Sequence, residues 1–383
     1  MIKNLKASRN ISVPLSREPF ALLSVNRAKS EFRQGRILAI QTGDGNSILA
    51  IAAEFITENN LQELVRISKN KLILGLTAAR ALSLGFDKPK GSIVTLSPKK
   101  TITARDIHIL ADPLMKTNAN NVIFRIKETL AYDRAQAAIT LAKISQLLPA
   151  ICFTELTNNI KDLKLWCTQH NFILVDAGDV FQYETIASKL LKKASEANVP
   201  LKNTENCRVI SFRPNDGGTE HLAIVIGNID PTQPVLTRIH SECFTGDVLG
   251  SLRCDCGEQL SGAIDEITAN GSGVLLYLKQ EGRNIGLVNK LRAYTLQDKG
   301  FDTFDANEEL GFNADERIYH PAGQILSLLE IHTVRLMTNN PIKINALKEF
   351  GLTVTQRIPH AFKTNKHNET YINTKKSRSG HLI

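Results

Sequence analysis

Glu258-Gln-Leu-Ser-Gly-Ala-Ile-Asp-Glu-Ile-Thr-Ala-Asn-Gly-Ser-Gly-Val-Leu-Leu-Tyr-Leu278 is the stretch whose reading decides the fold. Leu260, Ala263, Ile264 and Ile267 recur at helical spacing, and Asn270-Gly271 stops the helix. Gly273 to Leu278 then reads as a buried strand. It feeds directly into Gln280-Glu-Gly-Arg283, a polar loop whose glycine permits close backbone approach. Thr333-Val-Arg-Leu-Met-Thr338 is a second strand, followed by Asn339-Asn340-Pro341, a helix to about Phe350, and Gly351 as its stop. Strands and helices that alternate in this way indicate an α/β domain. Asn340 as cap, Pro341 at the first helical position and Lys343 in the first turn place free backbone N–H groups beside a cation, which suits an anion. An ordinary capped helix with a surface lysine has the same pattern.

Turn and breaker residues around Pro200 to Asn206, then Pro214-Asn-Asp-Gly-Gly218, set a boundary near residue 200. The 383 residues thus form two domains, 1–200 and 203–383, each long enough to bury its own core. In the first, Arg33 to Ile40 reads as a helix end and a strand, Asn59 to Val65 as a helix, and Ala138, Leu141, Ala142 and Ile144 as a helical stripe.

No apolar stretch approaches the roughly 18 residues that suggest a membrane span, and the first twenty residues lack a signal-peptide apolar core. They are basic, with Glu18 as the one acid, so a transit peptide is the competing reading. Six cysteines in so long a chain, three of them clustered, do not make a secreted disulfide framework and point to a reducing, cytoplasmic compartment. The formal charge of +9 suits either nucleic acid or a small phosphorylated substrate. The basic residues are scattered apart from an excess at Lys363 to Arg378, where Lys375-Lys376-Ser-Arg378 reads as a solvated tail. Without a nucleic-acid motif, neither nucleic acid nor membrane is the expected partner.

Half of the thiols lie in His240-Ser-Glu-Cys-Phe-Thr-Gly-Asp-Val-Leu-Gly-Ser-Leu-Arg-Cys-Asp-Cys-Gly-Glu-Gln259. Zinc held by three protein ligands keeps a fourth position for water, whereas a structural zinc closes with four. Cys254 and Cys256 are separated by one residue and no second pair follows, which argues against a zinc ribbon. His240 is the candidate fourth ligand of a closed site. Three buried, unmetallated thiols fit poorly beside Ser241, Glu242 and Asp247.

This cysteine run, with Glu281-Gly-Arg-Asn-Ile-Gly286, Asn289-Lys-Leu-Arg-Ala-Tyr294, Asp315-Glu-Arg317, Thr338-Asn-Asn-Pro341, Tyr371-Ile-Asn-Thr-Lys375 and Gly380-His-Leu382, resembles GTP cyclohydrolase II over roughly 203–383. The resemblance implies that Cys243, Cys254 and Cys256 bind zinc and that a metal-bound water attacks C8 of GTP, releasing formate. It also implies loss of pyrophosphate and formation of 2,5-diamino-6-ribosylamino-4(3H)-pyrimidinone 5′-phosphate, the first committed intermediate of riboflavin synthesis. By position, Arg317 is the nucleophile at the α-phosphate and Asp315 the proton acceptor. Guanidinium, whose pKa exceeds about 12, is a poor nucleophile, so clamping of phosphate is the simpler role. Tyr294 takes the place of a catalytic tyrosine that orients water or donates a proton, or else is a buried aromatic on a Leu291 to Leu296 helix. The implied GTP contacts are Arg238, Ile239, His240, Ser241, Glu242, Gln259, Glu281, Gly282, Arg283, Thr303, Thr338 and Lys343. Mg2+ accompanies the triphosphate, and the family suggests a homodimer. The strand motif that opens the domain is blurred at Asn203 to Arg213, and His320-Pro321 replaces a stretch that usually contains glycine.

The first half more faintly resembles 3,4-dihydroxy-2-butanone 4-phosphate synthase, through Phe32-Arg-Gln-Gly-Arg36, Leu110-Ala-Asp-Pro113 and Ala135 to Leu148. The implied architecture is a synthase-like α/β domain followed by a mixed α/β cyclohydrolase-like domain. Gln41-Thr-Gly-Asp-Gly-Asn-Ser-Ile48 replaces that family's acidic loop, and Ala131-Tyr-Asp-Arg-Ala-Gln136 replaces its histidine-bearing run. A hard cation is poorly served by Asp44 alone, so this half is predicted not to make the butanone phosphate. The competing functions are true bifunctionality and a non-catalytic zinc protein that binds RNA.

Overall fold

The computed structural model describes residues 21–87, 89, 91–115, 124–129, 131–157, 160–215, 217–362, 364–368 and 378. The first twenty residues, Lys363, Tyr371 to Lys375, Lys376 and Gly380 to Leu382 therefore lie outside the described residues. The chain divides into two compact units between Tyr183 and Glu184, within the helix Ala177–Lys189 that closes the first unit and opens the second.

The first unit runs Ala21–Arg33 (α1), Leu38–Gln41 (β1), Ser47–Ala52 (β2), Glu58–Ser68 (α2), Ile73–Thr77 (β3), Ala78–Ser83 (α3), Ile93–Pro98 (β4), Ala104–Ala111 (α4), Phe124–Glu128 (β5), Arg134–Ile144 (α5), Ala150–Glu155 (β6), Leu163–Gln169 (α6), Ile173–Asp176 (β7) and Ala177–Lys189 (α7). Its strands form one sheet in the order β5-β4-β3-β6-β2-β1-β7, antiparallel except where β1 meets β7. Leu49, Ile51, Leu74 and Cys152 form a core with Leu61 and Leu64 of α2 and Ile107 and Leu110 of α4. Thr57 starts α2 with a reciprocal cap, its hydroxyl accepting from Asn60 N–H while the Asn60 side chain accepts from Thr57 N–H.

The second unit begins with Leu191–Asn198 (β8), Cys207–Pro214 (β9), His221–Ile226 (β10) and Val235–Ser241 (β11). It continues through Phe244–Asp247 (α8), Cys256–Ala269 (α9), Gly273–Leu278 (β12), Leu287–Gln297 (α10), Thr303–Glu309 (α11), His320–Leu328 (α12), Thr333–Met337 (β13), Pro341–Glu349 (α13) and Thr353–Ile358 (β14). The sheet order is β14-β13-β11-β12-β10-β9-β8. The four strands β14, β13, β11 and β12 are parallel, and β10, β9 and β8 extend them antiparallel. The apolar run of β12 is explained by cover on both faces. Val274, Leu276 and Leu278 share a core with Ile325 and Leu326 of α12, and Leu275 packs with Ala263 and Ile267 of α9.

Three expectations are corrected. The boundary lies before residue 200, because Leu191–Asn198 pairs with β9 and belongs to the second sheet. Only Leu191 of that edge strand is buried, so its polar face gives no apolar pattern to read. Lys343 is a buried lysine, 6% exposed, whose Nζ donates to the Ile239 carbonyl at 2.7 Å. Arg378 is exposed but also paired: Nη1 donates to Asp302 Oδ2 at 2.6 Å and Asp305 Oδ1 at 2.5 Å, and the guanidinium lies over Phe304.

Candidate active site

A cleft with about 1190 Å³ of space, open to solvent, lies where β11, β12 and β13 end. In open α/β sheets the loops at the carboxyl ends of parallel strands form the ligand crevice. Here β11 delivers Arg238, His240 and Ser241, the loop after β12 delivers Glu281 to Arg283, and the end of β13 delivers Thr338 to Asn340.

The cysteine sulfurs of Cys243, Cys254 and Cys256 lie within 4.8 Å of one another, with Cys243 and Cys254 at 3.7 Å. Gly246 sits against them: a Cβ there would lie 2.8 Å from Cys254 Sγ and 3.1 Å from Cys243 Sγ. Contacts with the other two sulfurs push the Cys243 thiol well down against burial, helped by the neighbouring Lys290 ammonium. The contact with Cys243 pushes Cys254 up to about 11 and Cys256 well above the ordinary range. One negative charge is thus concentrated in a cluster of three soft donors. Such a set fits zinc.

His240 lies outside this cluster among the described residues. Its Nε2 is 3.1 Å from Asp247 Oδ1, and burial keeps the imidazole neutral by lowering its pKa against the pull of that carboxylate. Asp247 also accepts from Tyr277 OH at 2.8 Å and from Cys243 N–H at 2.9 Å. Lys290 donates to Cys243 Sγ at 3.1 Å and to Glu281 Oε1 at 2.7 Å. Glu281 accepts in addition from Phe244 N–H and Gly282 N–H. Tyr294 OH is 3.3 Å from Thr245 Oγ1, with Arg253 over its ring, and burial pushes its phenol up to about 12.

The remainder of the cleft is basic. Arg238 donates to Met337 O and Gln259 Oε1, and although burial lowers its pKa to about 10 it stays charged at neutral pH. Arg317 grips Asp315 bidentately, Nε to Oδ1 at 2.8 Å and Nη2 to Oδ2 at 2.5 Å. Burial would raise the Asp315 carboxyl, but the charges of Arg317 and Arg283 prevail and hold it at about 2. Gly282, Arg283 and Asn284 all have positive φ, which turns the chain sharply after β12. The two non-glycine residues carry backbone strain of the kind concentrated at functional sites. Thr303 opens α11 and accepts from Gln297 Nε2.

The structure brings the expected residues to this cleft with two exceptions. Ile239 is fully buried in the core and offers its carbonyl to Lys343, and Asp315 is linked to the cleft through Arg317 rather than lining it. Sequence reading missed Asp247, which accepts from Cys243 N–H, Tyr277, which donates to Asp247, and also Lys290, Arg253, Asn339 and His360. Lys290 had a usable signal: it precedes Tyr294 by one helical turn on α10.

The sequence profile described as GTP cyclohydrolase II matches residues 192–359. GTP cyclohydrolase-2 of Azospirillum brasilense is 46% identical, over 95% of this chain and 94% of its own length. Proteins named riboflavin biosynthesis protein RibBA from Phocaeicola vulgatus and Salinispora tropica are 32% and 34% identical, over 96% and 94% of this chain and 99% and 98% of their own lengths. With identity of this extent running through both units, the chain belongs to the GTP cyclohydrolase II family of enzymes.

Proposed function

We propose that the second unit converts GTP into 2,5-diamino-6-ribosylamino-4(3H)-pyrimidinone 5′-phosphate, formate and pyrophosphate, the entry step of riboflavin synthesis, in a zinc-dependent reaction. The observation that carries this reading is the meeting of three cysteine sulfurs with Arg238, Arg253, Arg283, Arg317 and Lys343 in one cleft. Cys243, Cys254 and Cys256 would hold Zn2+, which when bound makes hydroxide available near neutral pH. The pairing of His240 with Asp247 supports a ligand number of three, as in a catalytic zinc site.

The protein's own groups do the rest. Tyr294, protonated at neutral pH, donates a proton or orients water on the purine side of the cleft. Arg283, Arg317 and Lys343 bind the triphosphate, with Mg2+ accompanying it. The bidentate grip of Asp315 supports a clamping role for Arg317: it fixes the guanidinium plane toward one geometry, and a carboxylate held at about 2 is a weak acceptor for the guanidinium proton. His240 Nδ1 and Arg238 Nε are buried without hydrogen-bond partners among the described residues, as expected of atoms that await a substrate.

The first unit is read as synthase-like and inactive. Asp44 is engaged within its own turn, accepting from Thr42 Oγ1 and Asn46 N–H through Oδ1 and from Asn46 Nδ2 through Oδ2. A homodimer is supported by exposed Val248, Leu249, Leu252, Val288 and Leu291 on the two segments that frame the sulfurs. No helix among the described residues is long and apolar enough to cross a membrane, and a cytoplasmic location is part of this reading.

Formate release from GTP, followed together with zinc content, is the direct test. Full-length protein should turn over GTP with one zinc per chain, and Cys254→Ser should lose both. Activity surviving complete zinc removal would sink the mechanism.

A further inference from the structure

Lys290 is buried beside the sulfur cluster, and the reaction outlined above gives it nothing to do. Its side chain is 10% exposed, and its ammonium reaches both Cys243 Sγ at 3.1 Å and Glu281 Oε1 at 2.7 Å. The carboxylate that steadies it is itself anchored to the backbone N–H groups of Phe244 and Gly282. The lysine is thereby fixed between the segment that follows Cys243 and the loop that follows β12. Three thiolates around a dication leave one net negative charge, and a buried charge without a partner is costly. The ammonium supplies that partner.

We propose that Lys290 is a positioning residue for the metal held by Cys243, Cys254 and Cys256. It hydrogen-bonds the Cys243 thiolate, draws electron density from it and so sets both metal retention and Lewis acidity. The inference rests on the zinc reading above. The competing view makes Lys290 simply the ion-pair partner of Glu281, with the sulfur a bystander.

The test uses full-length protein loaded with cobalt(II) in place of zinc. The variant Lys290→Met/Glu281→Gln removes the ammonium without leaving a buried carboxylate unpaired. Loss of the hydrogen bond should move the sulfur-to-cobalt charge-transfer band in the near ultraviolet to lower energy. Zinc should pass to a competing chelator about 10–100-fold more readily, the usual effect of losing a group that orients a metal ligand. Lys290→Arg, which keeps charge and donors, should restore part of both. A folded double variant with the wild-type band and wild-type zinc affinity overturns the assignment. If that variant does not fold, Lys290→Gln carries the same reading, and an unshifted band again overturns it. Wild-type protein that takes up neither metal would refute the zinc reading instead.

Discussion

His240 Nε2 lies 3.1 Å from Asp247 Oδ1 and not among the cysteine sulfurs. On the zinc reading proposed above, that pairing leaves three candidate ligands rather than four. It depends on a distant contact, because β11 and β12 run in register with His240 opposite Tyr277, and Tyr277 steadies the same carboxylate.

Asp247→Ala should leave Cys243 N–H, Tyr277 OH and His240 Nε2 without their acceptor. A loss of about 3 kcal/mol in urea unfolding is expected, since each buried unsatisfied donor costs about 1–3 kcal/mol. Zinc content should fall with it, and Asp247→Asn should be milder on both counts.

Tyr294→Phe should keep its zinc and lose about 100-fold in turnover, the lower end of what a positioned proton donor contributes. Because burial pushes this phenol up to about 12, the wild-type rate should show no alkaline limb from Tyr294 below about pH 11. A limb near pH 9 that disappears in the phenylalanine variant would contradict this.

Asp315→Asn should reduce turnover and weaken GTP binding together, because Arg317 loses the partner that fixes it. With the Asp315 carboxyl held at about 2 it remains ionised through the working range. The acid limb of the rate profile, set by other groups, should therefore keep its position in Asp315→Asn even as the rate falls.

Stability should fall as pH drops from about 6.5 toward about 4. Burial lowers the pKa of His221 and of His360 to about 4, so the unfolded chain takes up protons first through that window. Protonation of His221 also breaks the bond its Nδ1 accepts from Lys279 N–H. A tenfold difference in proton affinity between the folded and unfolded chain is worth about 1.4 kcal/mol. His221→Gln should therefore flatten the dependence measured by urea unfolding at pH 7 and pH 4.5.

A fragment that starts at Glu184 should fold, whereas one that starts at Asn203 should aggregate. The second lacks Leu191–Asn198 and leaves β9 as an unpaired edge. Size-exclusion chromatography of the two distinguishes them.

Much of the second unit was legible in the sequence because its signals are local. The strand Gly273–Leu278 and the helix begun by Asn340 and Pro341 occur as read, with the Asn340 side chain accepting from Ile342 N–H. The cysteine cluster was legible for the same reason, since its three residues lie close in sequence. What escaped depends on tertiary pairing. Nothing near Lys290 announces Cys243, and nothing near Asp247 announces Tyr277. The strand Leu191–Asn198 escaped because an edge strand with an exposed polar face has no apolar alternation to betray it.

Gly246 gives the sulfur cluster a narrow tolerance. Its missing side chain is the space the sulfurs occupy, since a single methyl group there would press on Cys254 and Cys243 at once. Only a residue without a side chain leaves room here for the three sulfurs to meet, so the proposed metal site rests on one absent carbon atom.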